Sequence, residues 1–187
     1  MRIISGDWKG RRLKTLQGNL TRPTSDKVKG AIFNILGNKV QSAKVLDLFA
    51  GTGNLSLEAL SRGAEEAVLV EKSRKAWEII SDNIKMLEGE DSARIYNMDV
   101  FSFLKQPLLE RYDLVFIDPP YRQGFTDRVL TLIKTGKILN PQGVIIIETA
   151  SDEEITDDLG FLEVMITKQY GDTKIWFIQQ RDQQEEV

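Results

Sequence analysis

The sequence predicts an α/β fold with a mostly parallel seven-stranded sheet, an antiparallel last strand and a small basic β-hairpin at the amino end. Two observations carry the sheet: strand-length apolar runs alternate with helical patterns from residue 44 to residue 147, and two strand-like runs joined by a tight turn close the chain. A third observation places a ligand. The strand at residues 45–49 runs straight into Gly51-Thr52-Gly53 and a helix start, the arrangement of a ligand cradle at the carboxyl end of a strand.

At the amino end, Ile3, Ile4, Gly6, Gly10 and Leu13 outline the hairpin, with Lys9, Arg11, Arg12 and Lys14 available to phosphates and Trp8 able to stack on a base or to pack. Residues 1–29 hold eight Lys/Arg against two Asp, whereas the rest of the chain holds 17 against 26, so a net charge of −3 conceals a basic arm on an acidic body. Such asymmetry favours a polyanionic partner. A helix follows, with Ser25 as its cap, Asp26 in its first turn, an apolar face of Val28, Ala31, Ile32, Ile35 and Leu36, and a stop at Gly37. Gly30 inside this helix costs about 1 kcal/mol relative to alanine, which predicts close approach of another backbone or a ligand.

The central stretch is KVLDLFAGTGNLSLEALSRG, residues 44–63. Val45, Leu46, Leu48 and Phe49 form a strand covered on both faces, and Asn54 is expected to cap a helix carrying Leu57, Ala59 and Leu60 as far as Gly63. The dinucleotide pattern G-x-G-x-x-G is incomplete, because Ser56 stands where the third glycine would be. Asp47, four positions before Gly51, suits a ligand bearing an amino group better than a pyrophosphate, which points to S-adenosylmethionine.

Residues 66–71 read as the second strand and end on Glu71, placed to accept hydrogen bonds from ribose hydroxyls. Ser73 opens a helix with Ala76, Ile80, Ile84 and Leu87 on one side. Residues 94–98 form a third strand ending at Asp99, an acceptor for an adenine amino group, before a short helix with Phe101 and Leu104. The fourth strand, residues 112–117, runs into Asp118-Pro119-Pro120-Tyr121. Two consecutive prolines remove both amide donors and leave carbonyl acceptors beside a carboxylate. Such a pocket favours a planar exocyclic NH2 group, with Tyr121 shaped to stack on the base that carries it.

Thr126 or Asp127 then opens a helix that closes near Gly136, and Asn140-Pro141-Gln142-Gly143 turns into a fifth strand at residues 144–147. Residues 161–167 and 174–178 form the closing hairpin about Tyr170-Gly171-Asp172, and residues 181–187 are a polar tail. With neither cysteine nor histidine, the chain has no disulfide, thiolate nucleophile, histidine-based triad or usual zinc site. No metal is expected. At 187 residues it divides into an arm (1–20), one catalytic domain (21–180) and a tail. No run reaches the length of a membrane span and no signal peptide is evident, so a cytoplasmic protein without membrane contact is expected.

Together, RIISGDWKGRRL, TRPTSDKVKGAIFNIL, VLDLFAGTGNLSLEAL, the acid of VEKS, NMDV, DPPY and KQYGDTKIWFI resemble the RsmD family, Rossmann-like class I methyltransferases dependent on S-adenosylmethionine. The resemblance implies methylation of the exocyclic N2 amine of one guanine in 16S ribosomal RNA, within the small ribosomal subunit or an assembly intermediate, by a monomer that releases S-adenosylhomocysteine. It also implies Asp47, Gly51 and Gly53 around the methionine part of the cofactor, with Phe49 beside them. Glu71 would hold the ribose, Asp99 and Val100 the adenine, and Arg22 and Thr24 would close over the methionine end. Asp118, Pro119, Pro120 and Tyr121 would hold the target base, and Trp8, Lys9, Arg11, Arg12 and Lys14 the RNA. One departure stands out: Lys29-Gly30 replaces the family's usual Arg-Glu. An adenine N6-methyltransferase, a protein-glutamine methyltransferase, a non-catalytic RNA-binding module and a nicotinamide-dependent dehydrogenase remain alternatives on the residues alone.

Overall fold

A computed structural model describes residues 1–16, 25–107 and 110–181. Among these, α1 spans Asp26–Leu36, β1 Lys44–Asp47, α2 Asn54–Ser61, β2 Glu66–Val70, α3 Arg74–Leu87 and β3 Ala93–Tyr96. They are followed by α4 (Val100–Leu104), β4 (Tyr112–Ile117), α5 (Phe125–Gly136), β5 (Leu139–Ala150), β6 (Leu162–Tyr170) and β7 (Thr173–Gln180). The strand order is β3-β2-β1-β4-β5-β7-β6. Pairing is parallel from β3 to β5, and β7 runs antiparallel to both β5 and β6. The reversed strand is thus interior, and β6 forms the edge. The apolar run of β7 explains this: its burial on both faces demands a neighbour on each side, whereas most of β6 is exposed.

The chain winds outward from β1 to β3, then returns to lay β4 on the other side of β1. That reversal opens a crevice at the carboxyl ends of β1 and β4, where open α/β sheets bind ligands. One apolar core joins α1, α2, α3 and the amino-terminal segment to one sheet face, and a second joins α4 and α5 to the other.

Most predicted elements form with shifted ends. Ser25 and Ser73 cap α1 and α3 as expected, accepting from Val28 N and Ala76 N. Asn54 does not cap α2: Gly53, with φ of 80°, takes that position, and Asn54 turns its side chain to Lys29 instead. Likewise α5 starts one residue before Thr126, after Gly124 at φ 64°. The predicted turn at residues 140–143 is a bulge inside a longer β5, since Tyr112 pairs with Leu139 but Leu114 already pairs with Val144. The hairpin at the amino end is reduced to one antiparallel bridge, Arg2 to Arg12.

Gly30 does not mark a close approach; a Cβ there would meet Ile4 Cδ1 at 3.5 Å, an ordinary contact. The tight position is Gly6, at φ 80°, where a Cβ would lie 1.6 Å from the Ser61 carbonyl oxygen. Among the described residues no helix is long and apolar enough to cross a membrane.

Candidate active site

A cavity of about 690 Å3 occupies the crevice, walled by Leu48, Phe49, Gly51, Glu71, Met98, Asp99, Val100, Phe101, Asp118, Pro119, Pro120 and Tyr121, among others. Of the expected residues, Phe49, Gly51, Glu71, Asp99 and Val100 on the cofactor side and residues 118–121 on the base side therefore meet in one space. Glu71 leaves the end of β2 and is held by two backbone amides, Gly51 N at 2.9 Å and Ser73 N at 2.7 Å. A carboxylate offers about four lone-pair sites, so about half its accepting capacity remains for a donor such as a diol. Asp99 is the N-cap of α4, accepting from Phe101 N at 3.0 Å and Ser102 N at 3.4 Å, and its other oxygen lies 3.5 Å from Lys72 Nζ. Phe49 stacks on Phe125 with centroids 6.1 Å apart, and Phe125 meets Phe101 edge-on at 5.7 Å. Arg128 covers the outer face of Phe101. An aromatic floor is thereby fixed between the two halves of the crevice.

Asp47 and Gly53 lie beneath this wall. Asp47 is 2% exposed and accepts from Ser56 Oγ at 2.7 Å. Burial pushes its carboxyl up to about 7, against the opposing effect of the Ser56 hydrogen bond. Gly53 has the positive φ that the strand-to-helix turn requires, and its backbone packs close to Leu57 and Leu69. Arg22 and Thr24 lie outside the described residues.

On the base side, Asp118 and Pro119 follow β4 directly, and Tyr121 turns toward β5. Its hydroxyl donates to Glu148 Oε1 at 2.7 Å and lies 3.4 Å from Thr173 Oγ1. The next residue, Arg122, has φ of 57°; its amide donates to the Glu153 carboxylate, and its guanidinium grips Asp152 at 2.9 and 3.0 Å.

The basic arm is docked along α2 and α3. Glu58, fully buried, accepts from the Ile4 and Ser5 amides at 2.8 and 3.0 Å, and pairs with Lys29 Nζ at 3.1 Å and Arg62 Nε at 2.8 Å. Lys29 also donates to the Arg2 carbonyl at 2.6 Å and to Asn54 Oδ1 at 2.8 Å. Lys29 is thus a buried cation that ties the arm to α2. Burial lowers the Lys29 pKa, and the Glu58 charge opposes that shift. Asn83, also fully buried, accepts from Lys14 N at 2.7 Å and donates at 3.1 Å to both the Lys14 and Thr52 carbonyls, so one side chain links the arm to the glycine loop.

Docking changes what the five arm residues offer. Trp8 packs against Gly89 and the core, the Arg11 guanidinium donates to the Met86 carbonyl, and Lys14 pairs with Asp82 at 2.9 Å. Lys9, Arg11, Arg12 and Lys14 all remain exposed.

The sequence reading did not single out Glu148, Glu58 or Asn83. Glu148 gave a signal, as an acid ending the apolar run VIII, the pattern that identified Glu71 and Asp118. Lys29 and Glu58 stood at apolar-face positions of their helices, where a charge must find a partner. Asn83 gave none.

The donors fit S-adenosylmethionine. The cavity combines two carboxylates at neighbouring strand ends, apolar walls at Val100 and Phe101, and the backbone of Gly51, which carries no side chain. Among the described residues there is no group of three or more His, Cys, Asp or Glu that could hold a metal ion.

Comparison with known proteins agrees with this geometry. A family model described as "Conserved hypothetical protein 95" matches residues 1–179. YlbH of Bacillus subtilis (strain 168) is 38% identical over 97% of this chain and 100% of its own length. Ribosomal RNA small subunit methyltransferase D of Escherichia coli (strain K12) is 37% identical over 80% of this chain and 74% of its own. The solved structure of yhhF from Escherichia coli superposes with a TM-score of 0.89 at 33% identity, covering 98% of this chain and 99% of that one. The chain belongs to this family, the RsmD-type S-adenosylmethionine-dependent ribosomal RNA methyltransferases.

Proposed function

We propose that this protein methylates the exocyclic N2 amine of one guanine in 16S ribosomal RNA, acting as a monomer on the small subunit or an assembly intermediate of it. The observation that carries this reading is the shared cavity: Asp118, Pro119 and Tyr121 line the same space as Gly51, Glu71 and Asp99. Glu71 would take the ribose of S-adenosylmethionine, Asp99 and Val100 its adenine, and the Gly51 loop its methionine end, with Asp47 stabilising that loop from below. When bound, the cofactor supplies a methyl group on a sulfonium.

The residues of the chain then have to make a poor nucleophile attack. The lone pair of an exocyclic amine is delocalised into its base. Acceptance of its N–H bonds by the Asp118 carboxylate and the Pro119 carbonyl draws the nitrogen toward tetrahedral geometry and aims the lone pair. The Tyr121 ring fixes the plane of the base. Orientation of this kind is worth about 7–11 kcal/mol, whereas a general base adds about 10²- to 10⁴-fold. Asp118 accepts the proton once the nitrogen has become acidic. An arm carrying exposed Lys9 and Arg12 would meet RNA phosphates beyond the cavity.

The test is to incubate the protein with labelled cofactor and small subunits lacking the modification, then map the labelled nucleotide. Label on the N2 of one guanine is expected; label on an adenine, or none, overturns the reading. Asp118→Ala should retain S-adenosylhomocysteine binding by calorimetry and lose turnover by at least about 10²-fold.

A further inference from the structure

We propose that Glu148 and Thr173 are positioning residues for Tyr121, holding its hydroxyl so that the ring face alone meets the target base. The inference rests on the base-binding role given to Tyr121 above.

The geometry is that of a tether. A phenol has one proton to donate, and at 2.7 Å it goes to the Glu148 carboxylate; the phenolic oxygen has a second partner in Thr173 Oγ1 at 3.4 Å. The hydroxyl is therefore engaged inside the protein and is not presented to a ligand. Glu148 is 5% exposed and Thr173 9%, and neither lines the cavity, so both act through the ring they hold. They stand on adjacent strands of one ladder: Ala150 pairs with Thr173, and Glu148 lies two residues before Ala150, on the same face.

The anchor is thus built on β5 and the antiparallel β7, while the tyrosine it holds sits on the loop after β4. Arg122 adds a second clamp to the same loop through Asp152 and Glu153. A stacking ring must keep its plane within a narrow range for in-line transfer, and a misplacement of about 1 Å can cost about 10²-fold. Desolvation holds the phenol pKa well above its ordinary value, and the Glu148 charge adds to this, so the hydroxyl remains a donor throughout the neutral range.

The experiment uses the full chain in the small-subunit assay. Glu148→Ala should lower kcat about 10²-fold with unchanged S-adenosylhomocysteine affinity, while Glu148→Gln, whose amide oxygen still accepts, should keep most of the rate. Tyr121→Phe combined with Glu148→Ala should lose no more than the worse single variant, because both break one bond. Wild-type kcat in Glu148→Ala, or losses that multiply in the pair, would overturn the proposal. A readout independent of turnover separates this from the reaction itself: an ultraviolet difference spectrum against Tyr121→Phe isolates Tyr121 ionisation in alkaline buffer. Glu148→Gln should ionise at lower pH than wild type. An unchanged midpoint removes the tether even if methyl transfer is intact, and a lowered midpoint keeps it even if the RNA substrate proves different.

Discussion

The two halves of the crevice are held in different ways. On the cofactor side the contacts are short in sequence: Asp99 caps the helix that begins one residue later, Ser56 reaches Asp47 across nine positions, and Glu71 accepts from Gly51 across 20. On the base side, Tyr121 depends on Glu148 and Thr173, 27 and 52 positions away. The arm is extreme, with Lys14 meeting Asn83 across 69. Local contacts assemble with the strand-loop-helix unit that contains them, whereas the base side and arm exist only once the sheet and helices have closed. A half built from local contacts should tolerate loss of a remote partner, and one built from remote contacts should not.

The largest effect expected from breaking this contrast is at the arm anchor. Glu58→Ala leaves the Lys29 ammonium buried without its counter-charge and two backbone amides without their acceptor, and about 3–5 kcal/mol of stability should be lost in urea unfolding. A loss below about 1 kcal/mol would mean that the arm contributes little to the folded body.

Asp47 sharpens the comparison from the local side. Its ordinary value is 3.8 and burial raises it to about 7, so between those values the folded chain holds a proton that the unfolded chain has released. This group's contribution to stability therefore falls as pH rises from about 4 to about 7, and stays low above. Asp47→Asn cannot titrate and can still accept from Ser56. It should be more stable than wild type above neutrality by about 1–4 kcal/mol, with the difference vanishing near pH 4 in thermal melts. Equal melting profiles across that range would show that Asp47 is not desolvated.

The smallest effect distinguishes two glycines of the arm interface. Gly30→Ala should stabilise by about 1 kcal/mol, or about 2–4 °C in Tm, because the added methyl meets only Ile4 at ordinary distance. Gly6→Ala should destabilise instead, since its Cβ would overlap the Ser61 carbonyl. Reversed signs would place the close approach at the helix.

Much of the architecture follows from the sequence because its causes are local. Apolar runs of strand length define β1, β2, β4, β5 and β7, and Ser25 and Ser73 start their helices with side chains that reach only three residues ahead. Asn54 misled because it has the chemistry of a cap, yet a buried lysine 25 positions away claims its oxygen. For Trp8, which the sequence leaves able to stack or to pack, and for Arg11 and Lys14, nothing nearby in sequence engages the side chain. In the folded chain Gly89, Met86 and Asp82 do.

By itself, then, the sequence determined where along the chain the seven strands lie and that Glu71, Asp99 and Asp118 follow three of them, while their exact ends shifted, since hydrophobic patterning and turn chemistry act over a few residues. Tertiary structure alone decided which acids face the cavity, which lie beneath it, and that Glu148 holds Tyr121 from the neighbouring strand, 27 positions away. A buried polar group must find its partner wherever chain closure delivers one, and distance along the chain does not enter that requirement.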